Sequence, residues 1–249
     1  MSDQRSPDLG PEPVPDWLIP EHFDDADLGV LKEGKEAVCS LVERTSLDDP
    51  ERSHLLVRKQ YRAVKHRSFR NDAIYRHVTG ASTADKAIRL RTDTGLAILN
   101  DVNASREFDV LSALWSAGHP VPYPVSRLGT ELLLEFLGTD DGVAAPRLVA
   151  ARLSATEALA ALESVFDLCA DMLAIGWVHG DLSPFNVLWH EGRAHVIDFP
   201  QTMDLSVHAM ALDVLHRDVT TLCEWARRRG ATPPDPDEAF AEMLSRTYG

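Results

Sequence analysis

The sequence feature that most constrains the fold is a run of polar residues set between apolar segments, from Val178 to Phe199. Asp181, Asn186 and Asp198 have the order and spacing of the pattern His-x-Asp-x-x-x-x-Asn followed by a second Asp, which is typical of phosphoryl transfer. The first aspartate lies on a loop, where it can accept a hydroxyl proton or orient a nucleophile. His179 is interpreted as a residue that braces this loop by hydrogen bonds. The pattern predicts an enzyme that uses ATP.

A predicted hairpin would bring Asn186 and Asp198 close together. Residues 187–189 and 194–199 read as short strands around a turn at Glu191-Gly192, which brings their outer ends together. Asn186 and Asp198 would then offer an amide oxygen and a carboxylate, the hard ligands that magnesium prefers. Asp and Asn also favour ordinary turns. That alternative does not explain a charged residue within an apolar strand, where burial is costly unless the charge binds something.

The half of the protein that would hold the nucleotide is predicted upstream. Gly34-Lys35-Glu36-Ala37 precedes a strand at 38–43, and a turn at 48–50 leads to a further strand at 55–59. This order is expected of a small sheet that covers a nucleotide, and the glycine turn is a candidate phosphate lid. No Gly-x-Gly-x-x-Gly is present, so an ordinary hairpin turn is the alternative.

A lysine on the third strand should reach the α and β phosphates, and two lysines compete for this role. Lys59 follows the longer apolar run and is favoured, but period-two alternation also allows Lys65. A helix predicted over 103–117, capped by Asn103, carries Glu107 in its first turn as the acidic partner of the lysine. The alternative is that Glu107 only complements the helix dipole.

The other elements follow from periodicity and caps. We expect strands at 121–125 and 131–136, a connector between lobes at 134–138, a helix from the capping box at Ser154 to Gly176, helices within 207–230 and a mobile loop at about 77–96.

Together these residues resemble a RIO-type atypical serine/threonine protein kinase, and specifically a bacterial RIO1-like member. The resemblance rests on these segments: Gly34-Lys35-Glu36-Ala37, Lys59-Gln60-Tyr61-Arg62, Arg70 to Arg76, Ala117 to Pro124, His179-Gly180-Asp181-Leu182-Ser183-Pro184-Phe185-Asn186 and Ile197-Asp198-Phe199-Pro200-Gln201. Ser183 stands where ordinary protein kinases carry lysine, and Ile-Asp-Phe-Pro-Gln stands in place of Asp-Phe-Gly.

The resemblance implies an α+β, two-lobed protein-kinase-like fold without peptide-docking subdomains. We expect a disordered polar, proline-rich tail at 1–27, a β-rich N-lobe at 28–137 and a mainly helical C-lobe at 138–249. The resemblance implies catalytic roles for Asp181 and Asp198, and it makes Asn186 and Asp198 the metal ligands. Glu135 and Leu137 would lie at the hinge. The residues with implied ATP-binding roles are Gly34, Lys35, Lys59, Glu107, Glu135, Leu137 and Ser183. Lys59 is thereby preferred to Lys65.

The implied cofactors are ATP and magnesium, with manganese as an alternative metal. The implied activity is Ser/Thr phosphorylation, including autophosphorylation, or an ATPase cycle through an aspartyl phosphate on Asp198. The implied partners are a protein substrate or the chain itself and, by family analogy only, a ribosomal or pre-ribosomal particle. A small-molecule phosphotransferase of the aminoglycoside-kinase type and an ATP-switched scaffold with incidental turnover are the rivals.

The composition also limits the partners and the cellular location that the protein can be expected to have. The formal net charge of −14 disfavours broad nucleic-acid binding, and no apolar run is long enough to span a bilayer, so no membrane partner is expected. Three cysteines in core-like segments favour a reducing, cytoplasmic location over a metal site.

Overall fold

The computed structural model describes residues 6–62 and 92–248. Lys65 and the part of the predicted loop from 77 to 91 lie outside these residues. The chain divides into two compact units, one formed by Met1–Ser116 with Pro122–Ala144 and the other by Ala117–Val121 with Ala145–Gly249. The division near Ala144 lies beyond the predicted boundary at 137.

The first unit contains a six-stranded antiparallel sheet. Its strands are β1 (Asp8–Leu9), β2 (Phe23–Glu33), β3 (Ala37–Ser46), β4 (Ser53–Tyr61), β5 (Pro124–Leu128) and β6 (Glu131–Glu135), in the spatial order β1-β5-β6-β4-β3-β2. One face packs on a core of Leu18, Val42, Leu56, Tyr123, Val125 and Leu133. Trp115 meets the Tyr123 ring edge-on, with the ring centroids 4.9 Å apart.

The predicted disordered tail at 1–27 is wrong for the residues that the structure describes. Asp8 and Leu9 pair with β5, and β2 begins at Phe23. The segment is polar and rich in proline, but it contains two buried apolar residues: Leu18 and Ile19 are only 6% and 3% exposed. Burial of these side chains offsets the entropy lost when the segment is ordered.

The helix of the first unit, α1 (Asp93–Ser116), begins ten residues before the predicted start at Asn103. Thr92 is its cap, because Thr92 Oγ1 accepts a hydrogen bond from the Gly95 backbone N–H at 3.1 Å. Asn103 instead lies fully buried within the helix. The last four residues of the predicted mobile loop, 93–96, are therefore helical.

The second unit combines helices with short strands. They are α2 (Ala155–Ala174), β7 (Trp177–Val178), β8 (Val187–His190), β9 (Arg193–Val196), β10 (Met203–Asp204), α3 (Ala211–Arg228) and α4 (Pro236–Tyr248). Ser154 and Glu157 form the predicted capping box at the start of α2. Helix α4 was not predicted. Within the described residues, no helix combines the length and apolarity needed to cross a membrane.

The hairpin that carries the polar motif is made by β8 and β9, which pair from Val187 with Val196 to His190 with Arg193. Its two turn residues, Glu191 and Gly192, have φ values of 48° and 74°, the left-handed pair that a two-residue hairpin turn requires. The strand predicted to run to 199 ends at Val196, so Asp198 lies on the loop that follows.

Candidate functional site

The first unit contains a buried ion pair between strand β4 and helix α1. Lys59 Nζ lies 2.7 Å from Glu107 Oε1, and the two side chains are 9% and 1% exposed. The Tyr61 hydroxyl donates to Glu107 Oε2 at 2.5 Å. Lys59 and Tyr61 are two residues apart on one strand and so project to the same side of the sheet. Both oxygens of the Glu107 carboxylate are therefore held by β4.

The Gly34 loop joins β2 to β3. The Gly34 N–H donates to Ala37 O at 2.9 Å, and the Gly34 carbonyl accepts from Arg62 Nη2 at 3.1 Å. Arg62 also pairs with Glu33 at 2.8 Å. Lys35 projects into solvent at the loop tip. The loop is thus closed on itself and tied to the end of β4, with one cation left exposed at its tip.

The predicted hinge residues lie at the end of β6. Glu135 Oε2 accepts a hydrogen bond from the Tyr123 N–H at 2.9 Å, and the Glu135 N–H donates to Tyr123 O at 2.9 Å. Leu137 is 4% exposed and belongs to the same compact unit. The Glu135 side chain therefore fixes the local backbone between β5 and β6.

In the second unit, the loop after β7 positions Asp181. Asn186 Nδ2 donates to the Asp181 carbonyl at 2.8 Å, and the Asn186 N–H donates to Ser183 O at 2.8 Å, which closes the loop into a turn. His179, 2% exposed, has Nε2 3.2 Å from Ile197 O, while Nδ1 accepts from the Asp181 N–H at 3.4 Å. These contacts agree with the bracing role expected of His179.

Asp198 has an unusual backbone conformation beside this loop. The Ile197 N–H donates to Asn186 O at 2.9 Å, and Asp198 follows with a φ of 72°. A residue other than glycine in the left-handed region costs about 1–2 kcal/mol, a strain often found at functional sites. Burial and the negative charge of Asp198 raise the pKa of Asp181. The fold therefore holds two carboxylates close enough to repel each other.

The donor set fits a magnesium ion. The Asn186 amide nitrogen is bound to Asp181, which leaves the amide oxygen as the atom that can face a cation. Asp198 adds a carboxylate, and a divalent cation would offset its repulsion with Asp181. Within 6–62 and 92–248, no group of three or more His, Cys, Asp or Glu could hold a metal. Magnesium on nucleotides commonly takes only one or two carboxylates and completes its shell with phosphates and water.

Ser183, expected to contact ATP, stabilises the turn. Its hydroxyl accepts from the Phe185 N–H at 3.4 Å, and its carbonyl accepts from the Asn186 N–H. It also lines a surface cavity of the second unit.

Sequence reasoning missed a buried aspartate on α3 that supports this loop. Asp218, 2% exposed, accepts from the Leu182 N–H at 2.9 Å and from Arg217 Nη2 at 2.7 Å. Arg217 also donates to the Gly180 carbonyl at 3.2 Å. Burial raises the Asp218 pKa to about 6. Its signal in the sequence was an acidic residue within the apolar stripe of a helix, between Leu215 and Leu222.

Gly180 occupies its position for a backbone reason. Its φ is 87°, and an added Cβ would lie 2.2 Å from Gln201 O. A larger residue is therefore excluded where ordinary protein kinases carry arginine.

Comparisons with known proteins agree with this geometry. A family model described as the RIO domain matches residues 50–239. The RIO-type serine/threonine-protein kinase Rio1 of Thermoplasma acidophilum is 31% identical over 137 residues, which is 53% of this chain and 67% of that protein. Serine/threonine-protein kinase RIO3 of Caenorhabditis elegans is 38% identical over 138 residues, 53% of this chain and 26% of that protein. Serine/threonine-protein kinase RIO1 of Chaetomium thermophilum is 32% identical over 142 residues, 51% of this chain and 26% of that protein.

A solved structure has the same fold. The crystal structure of the Rio2 kinase-ADP/Mg²⁺-phosphoaspartate complex from Chaetomium thermophilum superposes with a TM-score of 0.60 at 21% identity, over 86% of this chain and 61% of that chain. The predicted protein-kinase-like fold is confirmed. The alignments span about a quarter of each eukaryotic relative. Because the family model matches more than half of its residues, the chain belongs to the RIO domain family, whose relatives named above are serine/threonine-protein kinases.

Proposed function

We propose that the protein is a magnesium-dependent phosphotransferase that moves the γ-phosphate of ATP. The observation that carries the proposal is the proximity of Asp181 and Asp198, which lie on two loops that Asn186 connects by hydrogen bonds. Carboxylates held together at the cost of repulsion and backbone strain indicate a site built for a cation. The family membership and the ADP/Mg²⁺ complex of the Rio2 neighbour support the same assignment.

We assign each of these residues a role in this reaction. Lys59, held by Glu107, binds the nucleotide phosphates, and Gly34 and Lys35 cover them. Backbone groups near Glu135 and Leu137 contact the base. Asn186 and Asp198 would hold magnesium, or manganese as the alternative metal, and the cation would neutralise charge on the transferring group. Ser183 serves the site by shaping the loop, and its predicted contact with ATP stays a prediction.

Two acceptors for the phosphoryl group are compatible with this site. In the first, a Ser or Thr hydroxyl attacks the γ-phosphorus while Asp181 orients it and accepts its proton. In the second, an Asp198 carboxylate oxygen attacks, the bond to the β-phosphate oxygen breaks, and ADP leaves with the electron pair. Water then attacks the phosphorus of the acyl phosphate, which releases phosphate and restores the carboxylate. The phosphoaspartate of the Rio2 neighbour supports the second route.

The wider predictions rest on the sequence and the family. The substrate is a protein or this chain itself, and a ribosomal or pre-ribosomal partner is proposed by family analogy alone. A cytoplasmic location is proposed from the three cysteines in core-like segments, and the placement among bacterial RIO1-like members from the motifs.

A labelling experiment tests the proposal. The protein is incubated with γ-labelled ATP and magnesium as wild type, Asp181→Asn and Asp198→Asn, with Asp213→Asn as a control at an exposed position on α3. Label that hydroxylamine removes and that Asp198→Asn lacks supports the acyl phosphate. Acid-stable label on Ser or Thr supports the hydroxyl route.

Two outcomes would contradict the assignment. Absence of both ADP formation and nucleotide binding in the wild type would refute it. Equal loss of turnover in the Asp213→Asn control and the Asp181→Asn variant would show that the effect is not specific to the loop. If the protein were instead an ATP-switched scaffold, the Asp181→Asn variant would bind ATP and magnesium as well as the wild type does and would still bind its partner.

A further inference from the structure

The second unit has a surface groove beside the catalytic loop that the proposed chemistry does not use. The groove has a volume of about 360 Å³ and lies between the residues that follow Asp181 and the C-terminal end of α3. Ser183 to Phe185 form one wall, and Trp225, Arg228 and Arg229 form the other. Its size suits one or two side chains of a partner.

One part of the groove is apolar and open to solvent. The Phe185 side chain is 56% exposed although it stands beside the buried loop, and Val149 is 38% exposed. Trp225, in the other wall, is 3% exposed and is fixed by a hydrogen bond of 3.2 Å from Nε1 to Leu148 O. Exposed aromatic and aliphatic surface in a formed groove favours an apolar side chain of a partner.

The other part of the groove carries positive charge. Arg229 Nη2 donates to the carbonyls of Val149 at 2.7 Å and Leu148 at 3.1 Å, which hold its guanidinium in place without neutralising it. Arg228 is 65% exposed, and its contact with Glu224 is long, at 3.7 Å between two exposed side chains. Such an exposed ion pair contributes little to stability, so a carboxylate of a partner can take the place of Glu224 beside Arg228. The cations stand out on a chain whose formal net charge is −14.

The walls of the groove are tied to the catalytic loop. The Val149 N–H donates to Pro184 O at 3.1 Å, and the Leu148 N–H donates to Val187 O at 2.8 Å. The segment that holds Arg229 and Trp225 thus also holds the loop that starts at Asp181. Phe185 lies four positions after Asp181, and an extended peptide covers about 3.3 Å per residue. A peptide whose hydroxyl is at Asp181 can therefore reach the groove within a few positions.

We infer that this groove docks the acceptor segment of a protein substrate, and that it selects a segment with an apolar residue and acidic residues within about four positions of the Ser or Thr. The inference rests on the proposed function in so far as the docked segment is the phosphate acceptor. Arg228 and Arg229 pair with the acidic residues, and Phe185 and Val149 pack on the apolar one. Charge complementarity favours this occupant over a basic peptide.

Direct binding tests the groove without relying on turnover. Fluorescein-labelled short peptides, Gly-Ala-Ser-Leu-Asp-Asp-Ala-Gly and the reversed order Gly-Ala-Asp-Asp-Leu-Ser-Ala-Gly, are titrated by fluorescence anisotropy against the full chain. Matched peptides carry Asn or Lys for both Asp. We expect at least one acidic peptide to bind about tenfold more tightly than its Asn counterpart, and the Lys peptide to bind more weakly still.

Variants locate the binding. Arg228→Glu should weaken the acidic peptide about tenfold, because an attraction becomes a repulsion, and Arg228→Lys should restore most of the affinity. Arg227→Glu is the matched control, since it makes the same charge change one residue earlier on α3, where the side chain is exposed and donates to Pro234 O. It should leave binding within about twofold of the wild type.

The outcomes separate this inference from the proposed function. Equal binding of Asp and Asn peptides, or unchanged binding by Arg228→Glu, would overturn the inference. Tighter binding of a labelled oligo-uridine that Arg228→Glu abolishes would also overturn it, in favour of a nucleic-acid site. ATP turnover without peptide is measured on the same samples. Acidic-peptide binding that depends on Arg228 in a protein without turnover would support the groove and refute the phosphotransferase.

Discussion

Removal of the Tyr61 hydroxyl tests how Lys59, the lysine proposed to bind the phosphates, is held. In the structure this hydroxyl lies 2.5 Å from Glu107 Oε2, and Lys59 Nζ lies 2.7 Å from Oε1. Tyr61→Phe keeps the ring and leaves no large cavity, so the lost hydrogen bond dominates the change. Glu107 is 1% exposed, which means that water cannot readily replace the missing donor.

The magnitude follows from the charge of the acceptor. A hydrogen bond to a buried charged group contributes about 1.5–3 kcal/mol, against about 0.5–1.5 kcal/mol for a neutral pair. Tyr123→Phe is the matched control, because Tyr123 is equally buried but donates to the neutral carbonyl of Pro11 at 3.0 Å. We expect Tyr61→Phe to lower the free energy of unfolding by about 2 kcal/mol and Tyr123→Phe by about 1 kcal/mol.

Urea unfolding followed by circular dichroism measures both changes, and titration with a fluorescent ATP analogue shows whether affinity for the nucleotide falls with Tyr61→Phe. A loss below about 0.5 kcal/mol in Tyr61→Phe, or a loss no larger than that of Tyr123→Phe, would refute the reasoning. It would mean that Glu107 is not held as a charged acceptor by β4.

The remaining predictions concern other parts of both units. Gly180→Ala should lower the melting temperature far more than Gly192→Ala, because both have a positive φ but only the first places Cβ against a backbone carbonyl; equal shifts would contradict this. Burial and the charge of Arg44 lower the His54 pKa to about 4, so the folded state binds fewer protons than the unfolded state. Stability should fall by up to about 3 kcal/mol as the pH drops from about 6.5 to about 4, and His54→Gln should flatten that profile in thermal melts. Asp218→Asn should reduce ATP turnover about tenfold or more, since the Leu182 N–H loses a charged acceptor; unchanged turnover would show that the loop keeps its shape without it.

Elements whose signals are local could be predicted from the sequence. The capping box at Ser154 and the hairpin around Glu191-Gly192 depend on residues within a few positions, and the structure contains both. The helix carrying Glu107 was predicted but its start was not. Thr92, the actual helix cap, gives only a weak signal in the sequence. Asn103 has a residue type that is common at caps, but it lies buried in the helix interior.

Features that depend on distant residues escaped prediction. The pairing of Asp8 with Arg127 converts part of a proline-rich segment into an edge strand, and no local pattern indicates a partner so far along the chain. Asp218 supports a loop 36 positions away, and the Tyr61 hydroxyl meets Glu107 across 46 positions. The contribution of these contacts to stability depends on their burial, and burial is set only when the whole unit has folded.

The sequence by itself determined the family, the elements with local signals and the identity of the polar residues, because spacing and side-chain chemistry are written along the chain. Tertiary structure decided the left-handed backbone at Asp198, the buried support from Asp218 and the groove beside Phe185. These arise only when segments far apart in sequence exclude water and fix one another's geometry.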